Sequence, residues 1–241
     1  MESEGWKTPA VRIGVSERAP DFTLPVVGRK EAVSLADYRG RTALLLVLNR
    51  GFWCSFCRRY LVQLGGTRKE LQGLGVEVLA VVPTDPERAE FYALRRPIPV
   101  PLAADPNLTT HRAYGLSMPP MSPEFERLWE AMRLRLDQTA FNPAELSQLA
   151  KAIPSAHGER AAEVPLNDLR AAQARLYPHD LSEKETQERA RYMTLSTGQF
   201  LVDRQGLVHW MKVQSVTDAP ATLGNFPREE ELLTAARGLA G

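Results

Sequence analysis

Cysteine is scarce in this chain: its 241 residues hold two, Cys54 and Cys57. A framework of structural disulfides is thereby excluded, because small folds that depend on one carry several bridges. Charge of one sign is also lacking, the formal net charge being +1. Without a basic field, neither nucleic acid nor an anionic membrane is an expected partner. Long hydrophobic runs are missing too. The longest, Thr42 to Asn49, falls far short of the roughly 20 residues that span a bilayer. The opening residues 1–14 hold no apolar stretch between a basic region and a small-residue cleavage site, so no signal peptide is read and a cytoplasmic location is expected. Histidine is sparse: His111, His157, His179 and His209 stand apart without ligand spacing. A zinc site built on Cys54 and Cys57 would lack its other two ligands. No internal repeat or low-complexity tract is visible.

What is present is enough for a sizeable core, with 44% hydrophobic and 24% charged residues. Phe22 to Pro25 and Val33 to Leu35 read as short extended pieces, followed by a turn at Arg39-Gly40. Ala43 to Leu48 is apolar throughout and predicts a strand buried on both faces. A helix is expected from Cys54 to about Leu74, with Tyr60, Leu61, Leu64 and Leu71 on one side; Gly65-Gly66 argues against its being unbroken. Val76 to Val82 predicts a second buried strand, and Thr84-Asp85-Pro86 starts a helix reaching about Arg95. Val100 to Ala103 reads as a strand at the sheet margin, because proline cannot donate to a ladder. Asp105-Pro106-Asn107 opens a short helix ending near Tyr114. Phe200 to Met211 reads as a hairpin turning at Gly206, and Arg228 to Leu239 as an amphipathic helix. This alternation implies an α/β fold, a central mixed sheet with helices on both faces.

One stretch breaks the pattern. Residues 118–193 read as a helical insertion, with Phe125, Leu128, Trp129, Met132 and Leu136 at helical spacing. Further helix starts fall at Asn142-Pro143, at Asn167 or Asp168, and at Ser182, where Glu185 completes a capping box and Leu181 is its staple. The remaining domain is then 14–117 and 194–241. The apolar stripe is expected to pack on its own domain, with a cover over the cysteines or a homodimer contact as other uses.

Cys54 follows a buried strand and a turn at Gly51, so it falls at a helix N-terminus. Unpaired N–H groups and the helix dipole there favour a thiolate. Arg50, Arg58 and Arg59 add positive charge nearby, although Arg58 and Arg59 also suit a solvated helix face. Cys57 lies three residues on, on the same side of the helix and within reach of a disulfide. The thiolate is the nucleophile, so Cys54 is expected to attack and Cys57 to resolve, with Trp53 and Phe56 as an apolar wall. The competing reading is a pair of inert core cysteines, since free cysteine is common in cores. His209, inside the hairpin, reads as structural.

At these residues the chain resembles thioredoxin-fold redoxins of the alkyl hydroperoxide reductase and thiol-specific antioxidant group. The matching pieces are APDFTLP, VSLADYRG, ALLLVLNRGFWCSFCRRYL, VEVLAVVPTDPE, PLAADPN, AYGL and FLVDRQGLVHW, in the family's order. The resemblance implies a thioredoxin-like fold with the helical insertion added. It also implies a peroxiredoxin-like thiol–disulfide oxidoreductase cycling Cys54 and Cys57, with no organic cofactor or metal. Electrons would come from a protein or small-molecule thiol. The pattern departs at three points. Val47 and Gly51 occupy the proline and threonine positions of the peroxiredoxin motif, and Thr197 stands where peroxiredoxins commonly carry arginine and thioredoxins a cis-proline. Ser55 replaces the proline that thioredoxins place between the cysteines. The alternatives left open are a thiol-dependent peroxidase acting on hydrogen or alkyl peroxides, and a non-enzymatic redox-sensing or partner-binding module.

Overall fold

A computed structural model describes residues 13–95, 98–120, 123, 183–215 and 225–240. The expected helices through Phe125 to Leu136, after Asn142-Pro143 and after Asn167, the capping box at Ser182 with Leu181, and His157 and His179 lie outside the described residues.

In chain order the elements are β1 (Thr23–Pro25), β2 (Ala32–Ser34), β3 (Ala43–Leu48), α1 (Ser55–Gly73), β4 (Val76–Val82), α2 (Pro86–Arg95), β5 (Leu102–Ala104), α3 (Thr109–Ala113), α4 (Glu183–Tyr192), β6 (Thr197–Val202), β7 (Val208–Gln214) and α5 (Glu229–Arg237). β1 and β2 form a small antiparallel sheet of their own. The main sheet runs β5-β4-β3-β6-β7. β3, β4 and β5 are parallel, whereas β6 and β7 join antiparallel. The expected mixed sheet is therefore present.

β3 is apolar at every position because it is central and both its faces are covered. Leu45 and Val47 pack in one cluster with Leu61, Leu64 and Leu71 of α1 and Leu232 and Leu233 of α5. Leu44, Leu46 and Leu48 point the other way, toward Phe22, Leu24, Leu35 and Tyr114. The second face is thus closed by the β1–β2 hairpin, a single 3-10 turn at Leu35–Asp37 and the chain after α3.

Two expectations need correction in detail. α1 continues unbroken through Gly65 and Gly66. Gly65 is there for space, since a Cβ at that position would run into the Pro99 ring. β5 begins at Leu102, leaving Pro101 outside it, and α3 begins only at Thr109. Asp105 still starts that helix, with its carboxylate accepting the N–H of Thr109 at 3.0 Å and of Thr110 at 2.8 Å. In the hairpin, Asp203 Oδ1 accepts the N–H of Gln205 at 2.9 Å and of Leu207 at 2.8 Å, and Gly206 turns the chain at φ +83°.

The chain leaves and re-enters the sheet domain at adjacent points. Ser196 N–H donates to the Ser117 carbonyl at 2.8 Å, and the two hydroxyls lie 2.9 Å apart. α4 leads back in and packs at the same end of the molecule as the cysteines. Its Glu188 accepts from Thr84 Oγ1 at 2.6 Å and pairs with Arg88 at 3.4 Å.

Candidate functional site

The link from β3 to α1 positions both sulfurs. Gly51 takes φ +127°, where a side chain would be strained, and a Cβ there would meet the Trp53 ring at 3.1 Å. The turn brings the Trp53 indole N–H onto the Arg50 carbonyl at 3.1 Å. Cys54 is the N-cap of α1, in extended backbone with φ −79° and ψ 106°. Its Sγ accepts the Cys57 N–H at 3.3 Å, taking the place of the oxygen that caps most helices. The Cys57 thiol donates to the same sulfur at 2.8 Å. Both cysteines are free thiols, and both are 1% exposed. Phe52, Trp53 and Phe56 are buried around them, Phe52 stacked on Tyr92 at 3.9 Å. Tyr192 and Leu195, where α4 rejoins the sheet, belong to the same cluster.

The hydrogen bonds are one-sided, and the two thiols titrate apart. Burial pushes the Cys54 thiol up, but the Cys57 hydrogen bond, the Arg50 charge, the Cys57 N–H and the Arg58 charge bring it down from 9.0 to about 6. Burial raises Cys57, and the hydrogen bond and charge of Cys54 raise it further, to well above its ordinary value. Arg50 is 0% exposed, and its guanidinium nitrogens have no hydrogen-bond partner among the described residues. A buried cation without a partner is costly, and its charge favours the thiolate form of Cys54. Arg58 is buried as well, so it does not lie on a solvated helix face; Arg59 is half-buried, over the Phe56 ring at 5.7 Å. The arrangement favours a thiolate at Cys54 and a protonated thiol at Cys57.

Residues 15–135 match the model of the AhpC/TSA family. The chain belongs to the AhpC/TSA family. A thiol-disulfide oxidoreductase ResA of Geobacillus thermodenitrificans is 32% identical over 110 residues, which cover 45% of this chain and 62% of that relative, short of two thirds of its length. A Mycobacterium tuberculosis protein named as a candidate peroxiredoxin is 29% identical over 111 residues, covering 45% of this chain and 69% of that one. Among solved structures, the reduced 2-Cys peroxiredoxin of Plasmodium vivax superposes with a TM-score of 0.54 at 11% identity, over 94% of this chain and 81% of that one. That likeness is one of fold, and it makes the domain thioredoxin-like.

In this AhpC/TSA chain the two positions that depart from the peroxiredoxin motif, Val47 and Gly51, sit at the end of β3 and in the turn. Thr197 opens β6, one step beyond the Leu48–Gly198 pair, at the same end of the sheet. It is fully buried, and its hydroxyl has no partner among the described residues. Sequence reasoning missed His111. Its ring is fully buried, with Nε2 on the Asn49 carbonyl at 2.8 Å and Nδ1 3.5 Å from Asp105. The signal available was the short Asp105-to-His111 spacing across one helix start. His209 is half-buried beside Gly238, at the far end of β7 from Gln214. Among the described residues, no group of three or more His, Cys, Asp or Glu is placed to hold a metal ion.

Proposed function

We propose that the chain is a peroxiredoxin-like thiol–disulfide oxidoreductase in which Cys54 is the nucleophile and Cys57 the resolving thiol. The observation that carries the reading is the one-way hydrogen bond from the Cys57 thiol to Cys54 Sγ, with the buried Arg50 guanidinium, which has no hydrogen-bond partner among the described residues, lowering the Cys54 thiol. The Cys54 thiolate attacks one sulfur of a disulfide RSSR, forming a mixed disulfide and releasing RS⁻. The Cys57 proton neutralises the leaving thiolate. Cys57 then attacks Cys54 Sγ, expels the second RS⁻ and closes the Cys54–Cys57 disulfide. The protein loses two electrons, and the substrate becomes two thiols. A second dithiol or a low-molecular-weight thiol returns the electrons. Trp53 and Phe56 keep bulk water from the reacting sulfurs.

The proposal includes the cytoplasmic setting expected from the sequence, where thiol pools keep such a pair reduced. No helix among the described residues is long and apolar enough to cross a membrane. The test is mild oxidation followed by alkylation and mass spectrometry. Formation of an intramolecular Cys54–Cys57 disulfide that a thiol reverses is expected, and two fully alkylatable thiols after oxidation would end the reading. Peroxide is expected to be the poorer substrate, because Val47 and Gly51 bring no side-chain donor to a peroxide oxygen and Thr197 offers a single neutral hydroxyl where the family's arginine offers a charged fork. One positioned donor is worth roughly a hundredfold or more in rate. A second-order rate with hydrogen peroxide above about 10⁴ M⁻¹s⁻¹, in the usual enzyme range, would make the protein a peroxidase instead.

A further inference from the structure

One end of the main sheet carries buried polar side chains on strands β6 and β7. In β6, Leu201 packs in the cluster that holds Cys54 and Cys57, while Phe200 and Val202 face the opposite core. Strand alternation then puts Gln199 and Thr197 on the cysteine side. Gln199 pairs with Val47 of β3, itself in the cysteine cluster, and Thr197 pairs with Gln214 of β7. In β7, Trp210 packs on that same cluster and Lys212 reaches Glu231 of α5 at 2.9 Å, so Gln214 also faces this side. Asn49 prolongs β3, its N–H on the Val81 carbonyl at 3.0 Å.

Asn49, Thr197 and Gln199 are 0% exposed and Gln214 is 4% exposed. The side-chain nitrogens and oxygens of the three amides and the Thr197 hydroxyl have no hydrogen-bond partner among the described residues. Arg50, next to Asn49 and acting on both cysteines, is in the same condition. Buried amides are normally satisfied, since leaving them unmade forfeits their hydration with no return. Several together, on the sheet face that also carries the Cys54–Cys57 cluster, are groups that a ligand can complete.

We propose that this polar floor and Arg50 form a subsite for a low-molecular-weight disulfide of peptide type, one that carries carboxylates and amides. The proposal rests on the thiol–disulfide reading above and names its substrate class. The guanidinium is a planar fork of donors that matches a carboxylate. The amides each offer a donor and an acceptor, which suits a peptide bond. A hydroperoxide head has two oxygens, too few to occupy a guanidinium and three amides. The chemistry is one exchange: the reduced Cys54–Cys57 pair gives two electrons to RSSR, closing its own S–S bond and releasing one RSH, which takes the Cys57 proton, and one RS⁻, which is protonated by solvent.

The experiment is single-turnover oxidation of the reduced full-length chain, acid-quenched, alkylated and read by mass spectrometry. Three probes are compared: oxidised glutathione (anionic, with amides), bis(2-hydroxyethyl) disulfide (neutral) and cystamine (cationic). Each rate is divided by that of the same disulfide with a simple thiolate in free solution. We expect oxidised glutathione to lead both others by fivefold or more; a smaller lead, or a lead by another probe, overturns the proposal. Gln199→Leu and Gln214→Leu are expected to lower that lead at least threefold while holding or raising Tm, because an unpaired buried amide has been removed. A lead unchanged in both variants overturns the role of the floor, and Arg50→Met read in the same way tests the carboxylate contact. If none of the three probes closes the Cys54–Cys57 bond, the thiol–disulfide reading itself falls. Closure by all three without preference sinks only the substrate class.

Discussion

Replacing Cys57 with alanine separates the causes of the low Cys54 pKa. The substitution removes the 2.8 Å thiol hydrogen bond and leaves Arg50, Arg58, the Cys57 N–H and the burial of Cys54 in place. A hydrogen bond to a charged group is worth about 1.5–3 kcal/mol. At about 1.36 kcal/mol per pKa unit, losing it raises Cys54 by one to two units. From about 6, the variant should titrate at about 7–8. At pH 7 its thiolate fraction then falls from roughly nine-tenths to between a half and a tenth. The remaining thiolate is more basic and therefore more nucleophilic, with a Brønsted slope of about 0.4–0.5. The two profiles should consequently cross. Below about pH 7 the variant reacts more slowly with iodoacetamide than native protein, and above about pH 9 it reacts about three- to tenfold faster. Thiolate absorbance in the ultraviolet and iodoacetamide rates from pH 4 to 10 measure both. A pKa that moves by less than half a unit, or profiles that do not cross, would refute the hydrogen bond as the main lowering influence.

Because the folded pKa of Cys54 lies below its unfolded value, its contribution to stability is present above about pH 9 and lost as pH falls through about 6. The reduced protein should therefore gain Tm between pH 6 and 9, a gain that the Cys54–Cys57 disulfide form lacks; parallel Tm profiles for the two forms would contradict this. Gly51→Ala puts a Cβ at positive φ against Trp53 and should cost about 1–3 kcal/mol in chemical denaturation, with a rate loss in disulfide exchange; a neutral result would mean that the turn relaxes freely. Burial raises the Asp105 carboxyl, but the His111 hydrogen bond and charge, with Thr109 and Thr110, hold it at about 2. Its contribution is present above about pH 4 and lost as pH falls through about 2. Asp105→Asn should lower Tm at pH 7 and flatten the acid limb of the stability profile, and an unchanged limb would assign acid loss to other carboxylates.

Local sequence determined a great deal here. An unbroken apolar segment, a glycine, and two cysteines three apart at a helix start are short-range features. Strand burial, turn geometry and N-cap position are all decided within a dozen residues, so β3, Gly51, Cys54 and α1 were legible as one unit. Asp105, Gly206 and the closing helix were legible for the same reason. Gly65 was misread as a weakness because its partner, Pro99, comes from a loop far along the chain.

The tertiary structure alone decided what surrounds the sulfurs. Arg50 was readable as a nearby charge, but its complete burial was not. Thr197 was visible only as a residue standing where others were expected. Asn49, Gln199 and Gln214 were not visible as a group, because strand register joins positions some 150 residues apart and sequence spacing carries no trace of it. The pairing of Val47 with Gln199 and of Thr197 with Gln214 places that polar row beneath a dithiol. The Cys-x-x-Cys spacing pointed to thiol chemistry, and long-range pairing decided which side chains share the sheet face with the two sulfurs.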